Sequence, residues 1–105
     1  MNPCQCRLLV VGRAKDLKAF CDREEWPAAF TEVEPLELAP TRASWQFSTP
    51  TPPLTFLRLL AARWPLLTVL VDYDTGRTKG LVWLRGGEHE HHQVVYIGEI
   101  GRAHV

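Results

Sequence analysis

The sequence has no excess of charge of either sign. Twelve basic and twelve acidic residues give a formal net charge of zero. The basic residues are also spread along the chain, whereas proteins that bind duplex DNA concentrate them where they meet phosphates. The charge pattern therefore argues against a duplex-DNA binder.

Long apolar runs are also lacking. No stretch approaches the roughly 20 apolar residues that a membrane-spanning helix needs, and the start has no charged region followed by an apolar signal core. Cysteine is scarce, and its count of three is odd, which fits reduced thiols better than a disulfide framework. These absences predict a cytoplasmic protein with no membrane partner.

The familiar catalytic motifs are missing too. The sequence contains no nucleophile elbow, phosphate-binding glycine loop or dinucleotide fingerprint. Asp72 and Asp74 flank Tyr73 at a predicted hairpin end, a spacing that suits acid–base chemistry. Carboxylates are common beside turns, so turn formation is the favoured interpretation. The expectation is a protein that is not an enzyme.

What is present is the composition of a globular domain. The 105 residues are 46% hydrophobic and 23% charged, which is too apolar for a disordered chain. No linker or repeat divides them. We therefore expect one domain over residues 1–105, with its core over about 5–97 and a frayed tail over 98–105.

The centre of the chain, residues 44–65, predicts a strand, a proline-rich corner and a helix. Trp45 and Phe47 lie two residues apart and so share one face of a strand. Thr51 is the expected N-cap of the helix, which Pro65 ends. The apolar stripe of this helix consists of Leu57, Leu60, Ala61 and Trp64.

The remaining elements complete an α+β pattern. Pro35 confines one strand to a sheet edge. Glu88–His92 is expected to be a solvated loop, and 93–97 is compatible with one more short strand. The order predicts a ferredoxin-like split βαβ sandwich, with two helices on one face of a mainly antiparallel sheet and an added C-terminal hairpin strand. The predicted strands are 7–11, 31–38, the segment around 45–47, 67–73 and 79–85, and the predicted helices are 14–25 and 53–64.

Several strands are apolar on both of their sides. This pattern occurs in three segments, which are Leu8 to Val11, Val69 to Val71 and Leu81 to Leu84. The two helices can cover only one face of such a sheet. Large exposed apolar patches are rare on soluble monomers. Either residues 93–97 or a two-fold partner is expected to cover the second face, and a homodimer is favoured.

Three segments resemble a known bacterial family. They are Pro3-Cys-Gln-Cys-Arg-Leu-Leu-Val-Val-Gly12, Trp45-Gln-Phe-Ser-Thr-Pro-Thr-Pro-Pro53, and Trp64-Pro-Leu-Leu67 with Tyr73, Gly76 and Gly80. They are similar to the YubB-type ferredoxin-like domain, a plasmid- and phage-associated family of unknown function. The resemblance implies a ferredoxin-like fold and a mobile-element setting. It supplies no catalytic residues.

Two clusters suggest ligand chemistry. His89, His91 and His92 form the sharper one, because imidazole binds zinc and nickel, but a structural zinc site shows other spacings. A solvated loop is the favoured interpretation. Cys4 and Cys6 place two thiols on one strand face, with Cys21 as a possible third, and buried or inert thiols are favoured there.

Four aromatic residues complete the candidates. In small split βαβ domains, sheet aromatics can stack the bases of single-stranded nucleic acid. The candidates are Trp45, Phe47, Tyr73 and Trp83. Core packing under the helices is favoured for them. A non-enzymatic protein-interaction module is thus the leading hypothesis, with a single-stranded nucleic-acid binder or a histidine metal binder as the alternatives.

Overall fold

The structure is a computed structural model that describes residues 3–96. The predicted tail, 98–105, lies outside the described residues. Among residues 3–96 no helix has the length and apolarity needed to cross a membrane. The elements are β1 (Cys4–Val11), α1 (Ala14–Arg23), β2 (Thr31–Ala39), β3 (Arg42–Thr49), α2 (Leu54–Arg63), β4 (Thr68–Asp74), β5 (Thr78–Arg85) and β6 (Glu88–Val95).

All six strands form one antiparallel sheet in the order β2-β3-β1-β4-β5-β6. Strand β3 lies between β1 and β2, and β1 lies between β3 and β4, so each helix connects two strands that are separated by a third. The predicted α+β class, the antiparallel sheet and the two helices are confirmed. The six-stranded order, however, is not that of the four-stranded ferredoxin-like sheet, because β5 and β6 extend it beyond β4.

One core lies between the helices and one face of the sheet. Every second residue of β1 is buried there, and Leu17 and Phe20 of α1 join Leu57 and Leu60 of α2 in the same cluster. Both helices therefore cover the same face, as the alternating burial of the central strands requires. The buried strand residues are Cys4, Cys6, Leu8, Val10, Ala43, Trp45, Phe47, Val69, Val71, Tyr73, Val82 and Leu84.

An aromatic cluster fills the β3 side of this core. The Trp45 ring lies 5.2 Å from that of Trp26 and 5.9 Å from that of Phe20. Phe30 stacks on Phe47 with ring centroids 4.4 Å apart. Trp26 and Phe30 belong to the loop between α1 and β2, so that loop seals the core instead of extending into solvent.

One carboxylate connects the ends of the two helices. Glu24, just after α1, accepts hydrogen bonds from Arg63 Nη2 at 2.7 Å and Arg63 Nε at 3.1 Å. It also accepts one from Trp64 Nε1 at 2.6 Å. Hydrogen bonding to the Arg63 guanidinium, together with that to Trp64, lowers the pKa of Glu24 although burial opposes the shift.

Two local predictions were wrong. Thr51 does not cap α2. The helix begins at Leu54, its N-cap residue is Pro53, and no side chain caps it; Pro52 keeps the residue before it, Thr51, out of helical geometry. Glu88–His92 is not a loop but the first part of β6. There Gly86, with φ of 58°, allows a two-residue turn that returns the chain directly along β5.

Candidate functional site

The face of the sheet turned away from both helices is here called the open face. Residues that alternate with the buried ones point to it from every strand. The pairing registers arrange them in three rows that each cross β3, β1, β4, β5 and β6. The first row is Ser44, Leu9, Leu70, Trp83 and Glu90, the second is Gln46, Arg7, Asp72, Leu81 and His92, and the third is Ser48, Gln5, Asp74, Lys79 and Val94.

The first row is apolar at its centre. Leu9, Leu70 and Trp83 are half-buried side by side on β1, β4 and β5. Leu81, in the adjoining row, is 46% exposed, and Leu36 of β2 is 48% exposed. The four leucines line one depression of about 370 Å³. This face therefore carries a continuous apolar surface that no helix within residues 3–96 covers.

The second row carries charge beside that apolar surface. Arg7 and Asp72 are cross-strand neighbours on β1 and β4, and Lys79 lines the same depressions as both. All three side chains are exposed. The open face is thus apolar in one part and charged, with both signs, in the other.

The four predicted aromatic candidates do not lie on one surface. Trp45, Phe47 and Tyr73 are buried on the helix side at 7%, 2% and 3% exposure. Trp83 alone of these four points to the open face, where it is half-buried. The β1–β3 register explains the difference, because Leu8 and Cys6 of the buried set face Trp45 and Phe47. The central strands β1 and β3 therefore present no aromatic side chain on the open face.

Tyr73 holds a polar contact at the rim of the core. Its hydroxyl lies 2.6 Å from Nε2 of His91 on β6, and burial raises the pKa of the tyrosine. The ring packs over Gly80, its cross-strand neighbour, and would overlap any Cβ at that position. The contact connects the outermost strand to the core.

The three predicted metal ligands are divided between two faces. His89 and His91 lie on the helix side of β6, opposite Leu84 and Val82, while His92 lies on the open face opposite Leu81. Alternation along a strand causes this split. Among residues 3–96 no group of three histidine, cysteine or acidic side chains is placed to hold a metal ion. The predicted zinc or nickel site is not assembled in this arrangement.

The thiols are also divided. Cys4 and Cys6 are buried with their sulfur atoms 3.7 Å apart, and burial raises the pKa of Cys6 to about 12. Cys21 is exposed and lines a depression with Ala43, which pairs with Val10 at the other end of β1. That separation is roughly 20 Å along the strand, so Cys21 does not join the other two thiols.

The two aspartates also differ in their surroundings. Asp74 accepts a hydrogen bond from the N–H of Gly76 at 2.8 Å, which closes the turn before β5, and one from the Tyr96 hydroxyl at 3.1 Å. Asp72 points to the open face beside Arg7. The expected turn role therefore describes Asp74, which also lines the charged depression with Lys79, whereas Asp72 belongs to the charged row alone.

Sequence analysis named Asp72, Asp74, Trp83 and His92 of the open face as candidates, but it did not identify which leucines of the apolar runs face outward. The signal was present, since the apolar runs that include Leu9, Leu70 and Leu81 were apolar on both sides. Which members of each run face outward depends on the pairing register. Comparison of the chain with known protein families, curated proteins and solved structures found no match, so function has to be argued from the site itself.

Proposed function

We propose that this chain is a non-enzymatic protein-interaction module that forms a homodimer through its open face. The observation that carries the proposal is the apolar row Leu9, Leu70 and Trp83, which crosses three strands on a face that neither α1 nor α2 covers. A sheet in this position is usually covered, because soluble monomers rarely expose large apolar patches.

Packing of two such faces would remove the leucines from water. Leu36 and Leu81 are each about half exposed, and burial of apolar surface contributes roughly 25 cal/mol per Å². Sheets that pack face to face lie about 10 Å apart with interdigitating side chains. The half-buried Leu9 and Leu70 lie where such side chains would insert.

The charged row favours a second copy as the partner. A two-fold axis brings the same surface of both copies together. Arg7 and Lys79 of one copy can then approach Asp72 of the other, so a face with charges of both signs is complementary to itself. The formal net charge of zero adds no long-range repulsion between copies.

Single-stranded nucleic acid is the less well supported ligand. Base stacking on a sheet needs exposed aromatic rings beside basic side chains. Trp83 is the one such ring among the four candidates, and its row neighbours Leu70 and Glu90 are apolar and acidic. Trp45 and Tyr73 are buried and would have to leave the core to stack.

We also propose that the chain belongs to the YubB-type ferredoxin-like family. The order β2-β3-β1-β4 with two helices on one side supports a ferredoxin-like core to which β5 and β6 are added. Together with the resemblance of the Trp45-to-Pro53 corner to YubB-type domains, this supports an origin in a bacterial mobile element. Neither point bears on the contact surface itself.

The test is a charge placed on the open face. Leu81→Glu introduces a carboxylate at a 46%-exposed position, and Leu59→Glu makes the same change at a 55%-exposed position on α2. Sedimentation equilibrium should show that Leu81→Glu halves the mass of the wild-type assembly, while Leu59→Glu leaves it unchanged. A carboxylate buried at an apolar interface lacks a partner, which is why it should dissociate the copies.

Two results would contradict this. A wild-type chain that sediments as a 12.0 kDa monomer at tens of micromolar has no homodimer. Equal masses for the wild type and the Leu81→Glu variant would place any interface elsewhere. Oligonucleotide binding that weakens steeply with salt would favour the nucleic-acid hypothesis instead.

A further inference from the structure

The two edges of the sheet are built differently. Strand β2 contains Pro35, shifts its register against β3 at two places, and includes Glu32 at a φ of 54°. Prolines and bulges are the usual devices that prevent an edge from pairing with another chain. Strand β6 at the other edge has neither, and it pairs with β5 in unbroken register over eight residues. One edge is obstructed and the other is regular.

The regular edge offers unused backbone groups. The N–H of Tyr96, just after β6, donates to the carbonyl of Arg77 at 2.7 Å. This hydrogen bond shows which residues of β6 direct their backbone N–H and C=O groups toward β5. Because these groups alternate in an antiparallel pair, the N–H and C=O of His89, His91 and Gln93 point away from the sheet. Among residues 3–96 no strand pairs with this edge.

Strand β6 also extends beyond the cover of the helices. Helix α2 packs on β4 and β5, and all eight residues of β6 are exposed on both faces. Val94 and Val95, at 67% and 60% exposure, end this strand.

We propose that β6 pairs antiparallel with β6 of a second copy, about a two-fold axis at His91, and joins two six-stranded sheets into one continuous sheet. In this register His91 lies opposite the same residue of the second copy, and His89 lies opposite the second copy's Gln93. The outward backbone groups then meet in hydrogen-bonded pairs. Its backbone hydrogen bonds lie at the sheet edge, whereas the side chains of Glu90 and His92 end two rows of the open face.

The side chains of β6 select that register. Glu90 and His92 share one face of the strand, with Oε2 and Nε2 3.6 Å apart. With the axis at His91, Glu90 lies opposite the second copy's His92, so two carboxylates and two imidazoles alternate around the axis. An axis at Glu90 would place two carboxylates opposite each other, which is unfavourable, and an axis at His92 would place Glu90 opposite the second copy's Val94. Of these three registers, the axis at His91 alone places each Glu90 opposite a His92.

The experiment reverses one charge of this quartet. Glu90→Lys should weaken the β6 interface roughly tenfold, since it removes both of the carboxylates that lie opposite the His92 imidazoles. Glu25→Lys, in the loop after α1, is the matched control, because it makes the same change of charge on an exposed residue away from β6 and the open face. The double variant Glu90→His with His92→Glu restores the alternation and should restore assembly. Mass is measured by sedimentation equilibrium.

A second measurement concerns the backbone. Amide hydrogen exchange at His89, His91 and Gln93 should be slow in a concentrated sample and fast after dilution below the dissociation constant. Protection that persists in the monomer would overturn the proposal, because the edge would then be covered within one chain. So would an unchanged mass for Glu90→Lys, or failure of the double variant to reassemble.

The two interfaces can be separated in one set of samples. With both present, Leu81→Glu and Glu90→Lys each halve the mass of the assembly, and the combination gives the monomer. If Leu81→Glu alone has an effect, the open-face proposal stands and the β6 proposal fails. If Glu90→Lys alone has an effect, the reverse holds.

Discussion

Replacement of Gly80 by alanine should destabilise the protein through one side chain. A Cβ at this position would overlap Cζ, Cε2 and the hydroxyl of Tyr73, which is buried across the strand pair. The ring must move, and it then loses its 2.6 Å contact with His91. Overpacking costs about 1–3 kcal/mol and the lost hydrogen bond about 1 kcal/mol, so we expect a loss of about 2–4 kcal/mol.

Urea unfolding followed by tryptophan fluorescence measures this loss at fixed protein concentration. Gly87→Ala is the control, since no atom lies within 4 Å of the added Cβ, and its free energy of unfolding should change by less than about 0.5 kcal/mol. In a Tyr73→Ala background, Gly80→Ala should cost little more, because the obstructing ring is gone. If Gly80→Ala unfolds at the wild-type midpoint, the packing argument is refuted.

Two further predictions concern single titratable groups. Glu24→Gln should lower the free energy of unfolding at pH 7 by about 1 kcal/mol, and the difference from wild type should vanish at low pH in urea titrations. The folded-state pKa of Glu24 is depressed, so its contribution is complete above the unfolded pKa of about 4.3 and is lost as the pH falls through the folded value; an equal difference at pH 3 would contradict this. Iodoacetamide at pH 8 should modify Cys21 first and leave the buried Cys6, with its pKa of about 12, unmodified until urea is added; mass spectrometry that finds Cys6 labelled in the native protein would argue against its burial.

The helices and the edge position of β2 were predictable because their signals are local. The apolar stripe of α2 ends just before Pro65, because a proline disfavours helical geometry in the residue before it. Pro35 has no backbone N–H, which a central strand would need for pairing. The burial of Trp45 and Phe47 was predictable in the same way. Their two-residue spacing places both rings on one face of the strand, and the apolar stripe of the following helix needs such a face to pack against. Such signals need no knowledge of which strands are neighbours.

The open face and β6 were harder to predict because they depend on pairing. Leu9 and Leu70 become neighbours only through the β1–β4 register, which hydrophobicity does not specify when a strand is apolar on both sides. Glu88–His92 looks like a loop because its composition is polar. It is a strand because a hairpin needs only the turn at Gly86 and a paired neighbour, and an edge strand without cover has no need of apolar residues.

The central position of β1 has a consequence for synthesis on the ribosome. Gln5 of the first strand pairs with Ser48 on one side and with Asp74 on the other. Strand β1 therefore stays unpaired on one flank until β4 has been made. Contacts this distant in sequence slow folding, and an apolar strand that waits for its partners is open to misassociation. We conclude that β1 completes its pairing late in folding and is exposed to misassociation until then.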